Sequence, residues 1–192
     1  MTTPNYSLLD NSLPNYMASN RVLSMGDAKI DPVDRIREQW QRERPDLNGE
    51  AMAILGRLGR LTMVATERIE SVFTAHGLQR GEFDVLAALR RSGDPYELNP
   101  SHLADTLMMS RAGMTGRLDR LEKAGLVRRM ADAGDRRAVK VALTDRGLHL
   151  IDIVVTAHFE NETRILSALS EQDRAHLDRI ARLLLADLEQ AD

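Results

Sequence analysis

Cysteine is absent from the 192 residues, so disulfides, thiolate metal sites and thiol redox switches are excluded. No apolar run approaches the ~20 residues a membrane helix needs, and no membrane partner is expected. The N-terminus has neither the basic opening nor the apolar stretch of an export signal, so the expected location is the cytoplasm. There is no Gly-rich phosphate loop and no nucleophile motif. His76, His102, His149, His158 and His176 lack a ligand spacing such as H-E-x-x-H. The expectation is a protein that is not an enzyme and carries no metal or cofactor. His158, on an apolar helix, reads as a hydrogen-bonded core or interface group.

What is present is unevenly charged. The chain has 26 Lys and Arg against 29 Asp and Glu, a net charge of −3. Between Asn99 and Arg146 there are ten basic and six acidic residues, a local +4 that leaves −7 for the remainder. A basic patch on an acidic body is the distribution of phosphate-contacting modules.

That basic stretch carries the clearest local pattern. Ser101 to Thr106 reads as a short helix, Leu107 to Met109 as a turn, and Ser110 as the N-cap of a helix running to about Ala124. Gly125 stops that helix. Leu126-Val127 and Val139, Val141 and Leu143 flank the polar turn 131–135, predicting a two-stranded hairpin. The second helix has a buried stripe of Met114, Leu118 and Leu121 at i, i+4 and i+7. Its other side is small and polar. This is the layout of a winged helix-turn-helix, whose second helix enters the major groove N-terminus first. Ser110, Arg111, Ala112, Thr115 and Gly116 are the expected base readers. Arg120, Lys123, Arg128 and Arg129 are the expected phosphate contacts. An ordinary amphipathic helix with a solvated face is the bland alternative, and it does not explain turn, cap, small residues and basic hairpin together.

The run S-R-A-G-M-T-G-R-L-D-R-L-E-K-A-G-L-V-R-R, followed by D-A-G-D-R-R-A-V-K-V-A-L-T-D-R-G, resembles the MarR family of bacterial regulators. The resemblance covers about residues 31 to 190. It implies that Asp135, Arg136 and Arg137 form the wing tip, with an arginine in the minor groove and the aspartate holding its basic neighbours. It also implies that Leu143 to Gly147 starts a helix returning to a dimer interface. Ala133-Gly134 stands where a Pro-containing turn is more usual. Without cysteine, the family's peroxide-sensing branch is excluded.

Elsewhere the pattern is helical. Residues 1–30, rich in Asn, Ser, Thr and Pro, read as a disordered tail. Asp31-Pro32 opens a helix with Val33, Ile36 and Trp40 on one face, ending before Pro45. Trp40, the single tryptophan, reads either as a packed aromatic or as a stacking surface. Glu50 to His76 is a long apolar helix ended by Gly77. On Gln79 to Ser92, Asp84 and Arg91 share a face two turns apart, with Ala87 and Ala88 between them. Small side chains between an acid and a base predict a concavity with polar ends. Arg117 flanks the buried stripe of its helix and is expected to turn inward and pair with Asp84.

The run Phe83 to Pro100 resembles a urate-responsive subgroup of the MarR family. That resemblance assigns ligand sensing to Trp40, Asp84, Arg91 and Arg117, with an anionic ligand displacing the acid from its arginine. The alternative is an ion pair that only fixes helix orientation.

After the wing, Asp145 to Leu166 carries Leu148, Ile151, Val155, Phe159 and Leu166 on one side. Ser170 caps a last helix with Leu177, Ile180, Leu184 and Leu188. These stripes exceed what one small domain buries, so a homodimer is expected. The expected organisation is a mainly α chain, with helical dimerisation regions at 31–77 and 144–190 and a winged-helix lobe with a two-stranded β wing at 78–143. The expected function is repression at an inverted-repeat operator on double-stranded DNA, relieved by a small anionic or aromatic effector such as urate. Two other readings stay open: a regulator answering a different small molecule, phenolic or another organic acid, and a helical interaction module without ligand sensing.

Overall fold

The computed structural model describes residues 31–131 and 138–190. The expected tail at 1–30 and the wing-tip residues Asp135, Arg136 and Arg137 lie outside them. Contacts divide the chain into two units, residues 1–56 and 57–192.

In the first unit, α1 (Pro32–Glu43) begins as its sequence predicts. Asp31 caps it and receives the Val33 and Asp34 backbone N–H groups at 2.6 and 3.1 Å, with Pro32 at the first helical position. The start of α2 (Glu50–Ala75) follows. Val33 and Ala53 are buried, whereas Ile36 and Trp40 are 44% and 51% exposed.

The second unit is built around α3 (Arg80–Arg91), whose Val85, Leu86 and Leu89 are completely buried. Around it come the strand β1 (Glu97–Leu98), α4 (Pro100–Thr106) and α5 (Arg111–Lys123). Then follow β2 (Val127–Ala131), β3 (Val139–Leu143), α6 (Asp145–Ile165) and α7 (Glu171–Glu189). α3 packs on α5, α6 and β3, and α4 packs on α5 and β3. The core joins Phe73 from α2, Leu103 from α4, the Met114, Leu118 and Leu121 stripe, and Ile151 and Val154 from α6. Phe73 and Phe83 stack with centroids 4.2 Å apart, and His158 packs against both at 5.2 and 5.1 Å.

The expected two-stranded hairpin is present as β2 and β3, and a short third strand extends it. The sheet has three antiparallel strands in the order β1-β3-β2. β2 pairs with β3 as Val127↔Leu143, Arg129↔Val141 and Ala131↔Val139. β1 adds Glu97↔Ala142 and Leu98↔Val141 on the other edge. Two residues make too short a run for strand periodicity; β1 exists because β3 offers it an edge. It is held further by Lys140 to Glu97 at 2.6 Å.

The C-terminal stripes fall as their spacing predicts, but most remain uncovered in the single chain. No residue of α7 is buried, and Ile180, Leu184 and Leu188 are 46–67% exposed. Along α6 burial fades, from Ile151 at 0% to Phe159 at 64%. No described helix is long and apolar enough to cross a membrane.

Candidate nucleic-acid interface

α4 ends in a tight turn in which Met108 takes a positive φ of 50° and is almost fully exposed. Met109 N–H returns to the Ala104 carbonyl at 2.8 Å. Ser110 then caps α5, its hydroxyl accepting from Gly113 N–H at 3.2 Å; a cap of this kind is worth about 1 kcal/mol. Gly125, at φ 69°, takes the left-handed conformation that closes the helix. With Met114, Leu118 and Leu121 buried at 1% exposure each, the opposite face is fixed outward. Ser110, Arg111, Ala112 and Thr115 are exposed there, with Gly116 half-buried beside them. Thr115 donates its hydroxyl back to the Arg111 carbonyl at 3.0 Å, which leaves the oxygen lone pairs and the methyl group facing out.

Two of the basic residues expected to reach phosphates also make ion pairs within the lobe. Arg129 on β2 spans Asp119 and Glu122 of α5, each at 2.7 Å, so its charge clamps the wing strand to the helix. Arg120 donates from Nε to Glu82 Oε1 of α3 at 2.9 Å. Lys123 and Arg128 are exposed. The sequence reading missed Glu82, whose signal was modest: the Gln79-to-Glu82 spacing is a capping box, and Gln79 N–H indeed donates to Glu82 at 2.9 Å.

The expected effector residues are placed unevenly. Trp40, in the first unit, lines a cleft of about 150 Å³ with Arg37, Leu47 and Met52. Asp84, Arg91 and Arg117 belong to the second unit. Arg91 is exposed, while Asp84 and Arg117 are half-buried. The expected Asp84–Arg117 pair is not closed. The Arg117 guanidinium lies over Gly81, in the space a side chain there would fill, and donates to Met109 Sδ at 2.6 Å. Nor is there an open concavity at Ala87 and Ala88. They are buried at 2% and 5% exposure, because their small side chains let α3 sit inside the core.

Asp84 is left without an ion pair among the described residues. Burial pushes its carboxyl above the ordinary carboxylate range, opposed by the charges of Arg80, Arg117, Arg91 and His158. A raised folded-state value means the proton is held more tightly in the fold, so ionisation costs stability. That contribution is fully present below the ordinary value of about 3.9 and is lost as pH rises through the folded value. Asp84→Asn is therefore expected to unfold at a higher temperature than the parent at pH 7, with the advantage shrinking on acidification. A thermal-unfolding series across pH checks this; an advantage that grows on acidification contradicts burial as the dominant cause.

A capped helix presented N-terminus first, braced from behind by α3 and α4 and flanked by a basic hairpin, defines a winged helix-turn-helix DNA-binding module. Comparison with known proteins makes the class more specific. The MarR family model matches residues 76–138. Over 157 residues the chain is 46% identical to the HTH-type transcriptional regulator PecS of Dickeya dadantii (strain 3937), covering 82% of this chain and 92% of that one. It is 25% identical over 166 residues to the transcriptional repressor MprA of Escherichia coli (strain K12), covering 86% and 94%. Its fold matches Sco3205, a MarR family regulator from Streptomyces coelicolor solved in complex with DNA. The TM-score is 0.64 at 20% identity, over 74% of this chain and 89% of that one. The chain belongs to the MarR family of transcription regulators.

Proposed function

We propose that the protein is a homodimeric repressor that binds an inverted-repeat operator in the cytoplasm and is released by a small planar organic anion, of which urate is one candidate. The observation that carries the DNA reading is the exposed N-terminal half of α5, small and polar, held outward by a fully buried stripe. Ser110, Arg111, Ala112, Thr115 and Gly116 face the base edges. Arg120 and Lys123 meet phosphates, and Arg136 and Arg137 also contact DNA, one of them in the minor groove as the family resemblance implies. Segments 31–77 and 144–190 supply the dimer contacts, a reading supported by the uncovered apolar residues of α6 and α7. Residues 78–143 form the DNA-binding lobe.

The effector reading rests on Asp84, a half-buried carboxylate without an ion pair among the described residues, within reach of the charges of Arg91 and Arg117. A planar anion takes the arginine fork of Arg91. Its charge disfavours ionised Asp84 still further, and the carboxylate relieves that cost by closing on Arg117. Arg117 then leaves Gly81, and the recognition helix that carries it shifts. Only a ligand with different affinities for the two arrangements acts in this way. The family resemblance assigns Trp40 to the same ligand, and quenching of its fluorescence checks that assignment separately.

The test is a titration of urate, and in parallel of a benzoate-type anion, into the protein–DNA complex followed by fluorescence anisotropy. Release by a planar anion, and not by chloride at matched ionic strength, is the expected result. A complex that no organic anion dissociates removes the effector half of the reading and leaves the DNA half standing.

A further inference from the structure

Glu82 is the one buried charged side chain among the described residues, at 8% exposure. It stands in the first turn of α3, yet its carboxylate serves two elements. Oε2 accepts the Gln79 N–H, and Oε1 accepts Arg120 Nε across from α5, both at 2.9 Å. Arg120 is half exposed, and its Nη1 lies 3.9 Å from the place a Cβ on Gly116 would occupy. Ala112, Gly116 and Arg120 follow one another at i, i+4 and i+8, so the free end of the guanidinium continues the row of small residues on the outer face of α5. The Nε of the arginine is thus held by a buried carboxylate while the side chain stays half exposed beside Gly116.

We infer that Glu82 is a positioning residue for DNA binding: its buried carboxylate pre-sets Arg120 so that the Nη end meets a DNA phosphate. This rests on the reading that the outer face of α5 meets DNA. The physical advantage is pre-organisation. A free arginine has ~2 kcal/mol of rotamer entropy to lose on contact, and one already held by a charge-assisted hydrogen bond loses less. The same bond fixes α5 against α3, the helix that carries Asp84 and Arg91, so the DNA-facing charge is tied to the effector cluster by one side-chain contact.

The two possible roles of the carboxylate differ in the sign of their effect. A carboxylate that merely sat near DNA would repel it, and its neutralisation would tighten binding. A carboxylate that positions an arginine does the reverse. The measurement is anisotropy of a labelled duplex of arbitrary sequence, about 30 base pairs long, titrated with the full chain at roughly 50 to 200 mM salt, where phosphate contacts register as the salt slope. Glu82→Gln is expected to bind about tenfold more weakly, the loss of one charge-assisted hydrogen bond. Its salt slope should be shallower by about one ion, as for Arg120→Ala. In the Arg120→Ala background, Glu82→Gln should cause no further loss. Arg120→Lys keeps the charge beside Glu82 but lacks the fork, so it should also bind weakly; it keeps the test available should Glu82→Gln fail to fold. If Arg120→Ala leaves affinity and slope unchanged, Arg120 does not meet DNA and the underlying reading falls at that residue. If Arg120→Ala weakens binding while Glu82→Gln, or Arg120→Lys, binds as well as the parent or better, the positioning role is overturned.

Discussion

Gly147→Ala is expected to lower stability by about 2–4 kcal/mol and to lose DNA binding with it, although the substitution adds one methyl group near the surface of a helix. The reason is a backbone-to-backbone approach. A Cβ at 147 would run into the Leu126 carbonyl, with the Leu126 Cα 3.3 Å away. Neither side can yield cheaply. Leu126 follows the left-handed Gly125 that closes α5, and its N–H is bonded to the Leu121 carbonyl at 2.9 Å. Thr144 caps α6 by accepting Gly147 N–H at 3.0 Å while donating to the Gly125 carbonyl at 2.7 Å. Moving α6 away breaks that cap and loosens Ile151 and Val154, both fully buried. The control is Gly116→Ala, whose nearest neighbour atom would be 3.9 Å away. It should stabilise α5 by up to ~1 kcal/mol, the ordinary helix preference of alanine over glycine. Denaturant unfolding of the two variants checks the pair; equal stabilities would show that the α5–α6 junction is softer than its geometry implies.

Arg91→Ala is expected to weaken effector release about 10- to 100-fold while leaving DNA affinity within about twofold. Arg91 ends α3, is exposed and carries no core packing, so its loss costs at most ~1 kcal/mol of helix-end electrostatics. Its loss to an anionic ligand is larger. A hydrogen bond to a charged group is worth ~1.5–3 kcal/mol, so the half-maximal effector concentration should rise about 10- to 100-fold. Asp84→Asn separates binding from coupling. It removes the charge that the anion acts against, so the ligand should bind at least as well while releasing DNA less. Anisotropy of the complex and direct ligand titration of the DNA-free protein give the two readouts. An Arg91→Ala variant that responds normally to the inducing anion places the effector site elsewhere in the chain.

Local signals carried most of the DNA-binding lobe. Ser110, the 114–118–121 stripe and Gly125 each act within a few residues of themselves, and the structure has the cap, the buried face and the left-handed stop where the spacing puts them. Non-local partnerships were not legible. β1 is a strand only because Val141 and Ala142 offer an edge. Arg120 finds Glu82 across 38 positions of sequence. Arg129 looked free for phosphate because nothing nearby in sequence says that Asp119 and Glu122 turn toward it. The expected Asp84–Arg117 pair was the right neighbourhood with the wrong contact. Gly81, one turn before Asp84, leaves the space that the guanidinium occupies. A glycine in the first turn of an otherwise well-formed helix was the available clue. The apolar stripes of α6 and α7 were legible as helix faces, and their exposure in a single chain supports reading them as surface for a second copy.

The central claim, a two-fold dimer reading DNA with two copies of α5, is tested most directly by footprinting the full chain on genomic fragments that it retains in a mobility-shift assay. Two recognition helices related by a two-fold axis enter successive major grooves on one side of the duplex. The protected region should therefore be an inverted repeat with half-site centres about 10 base pairs apart. Protection of a lone half-site, or of direct repeats, would contradict the account.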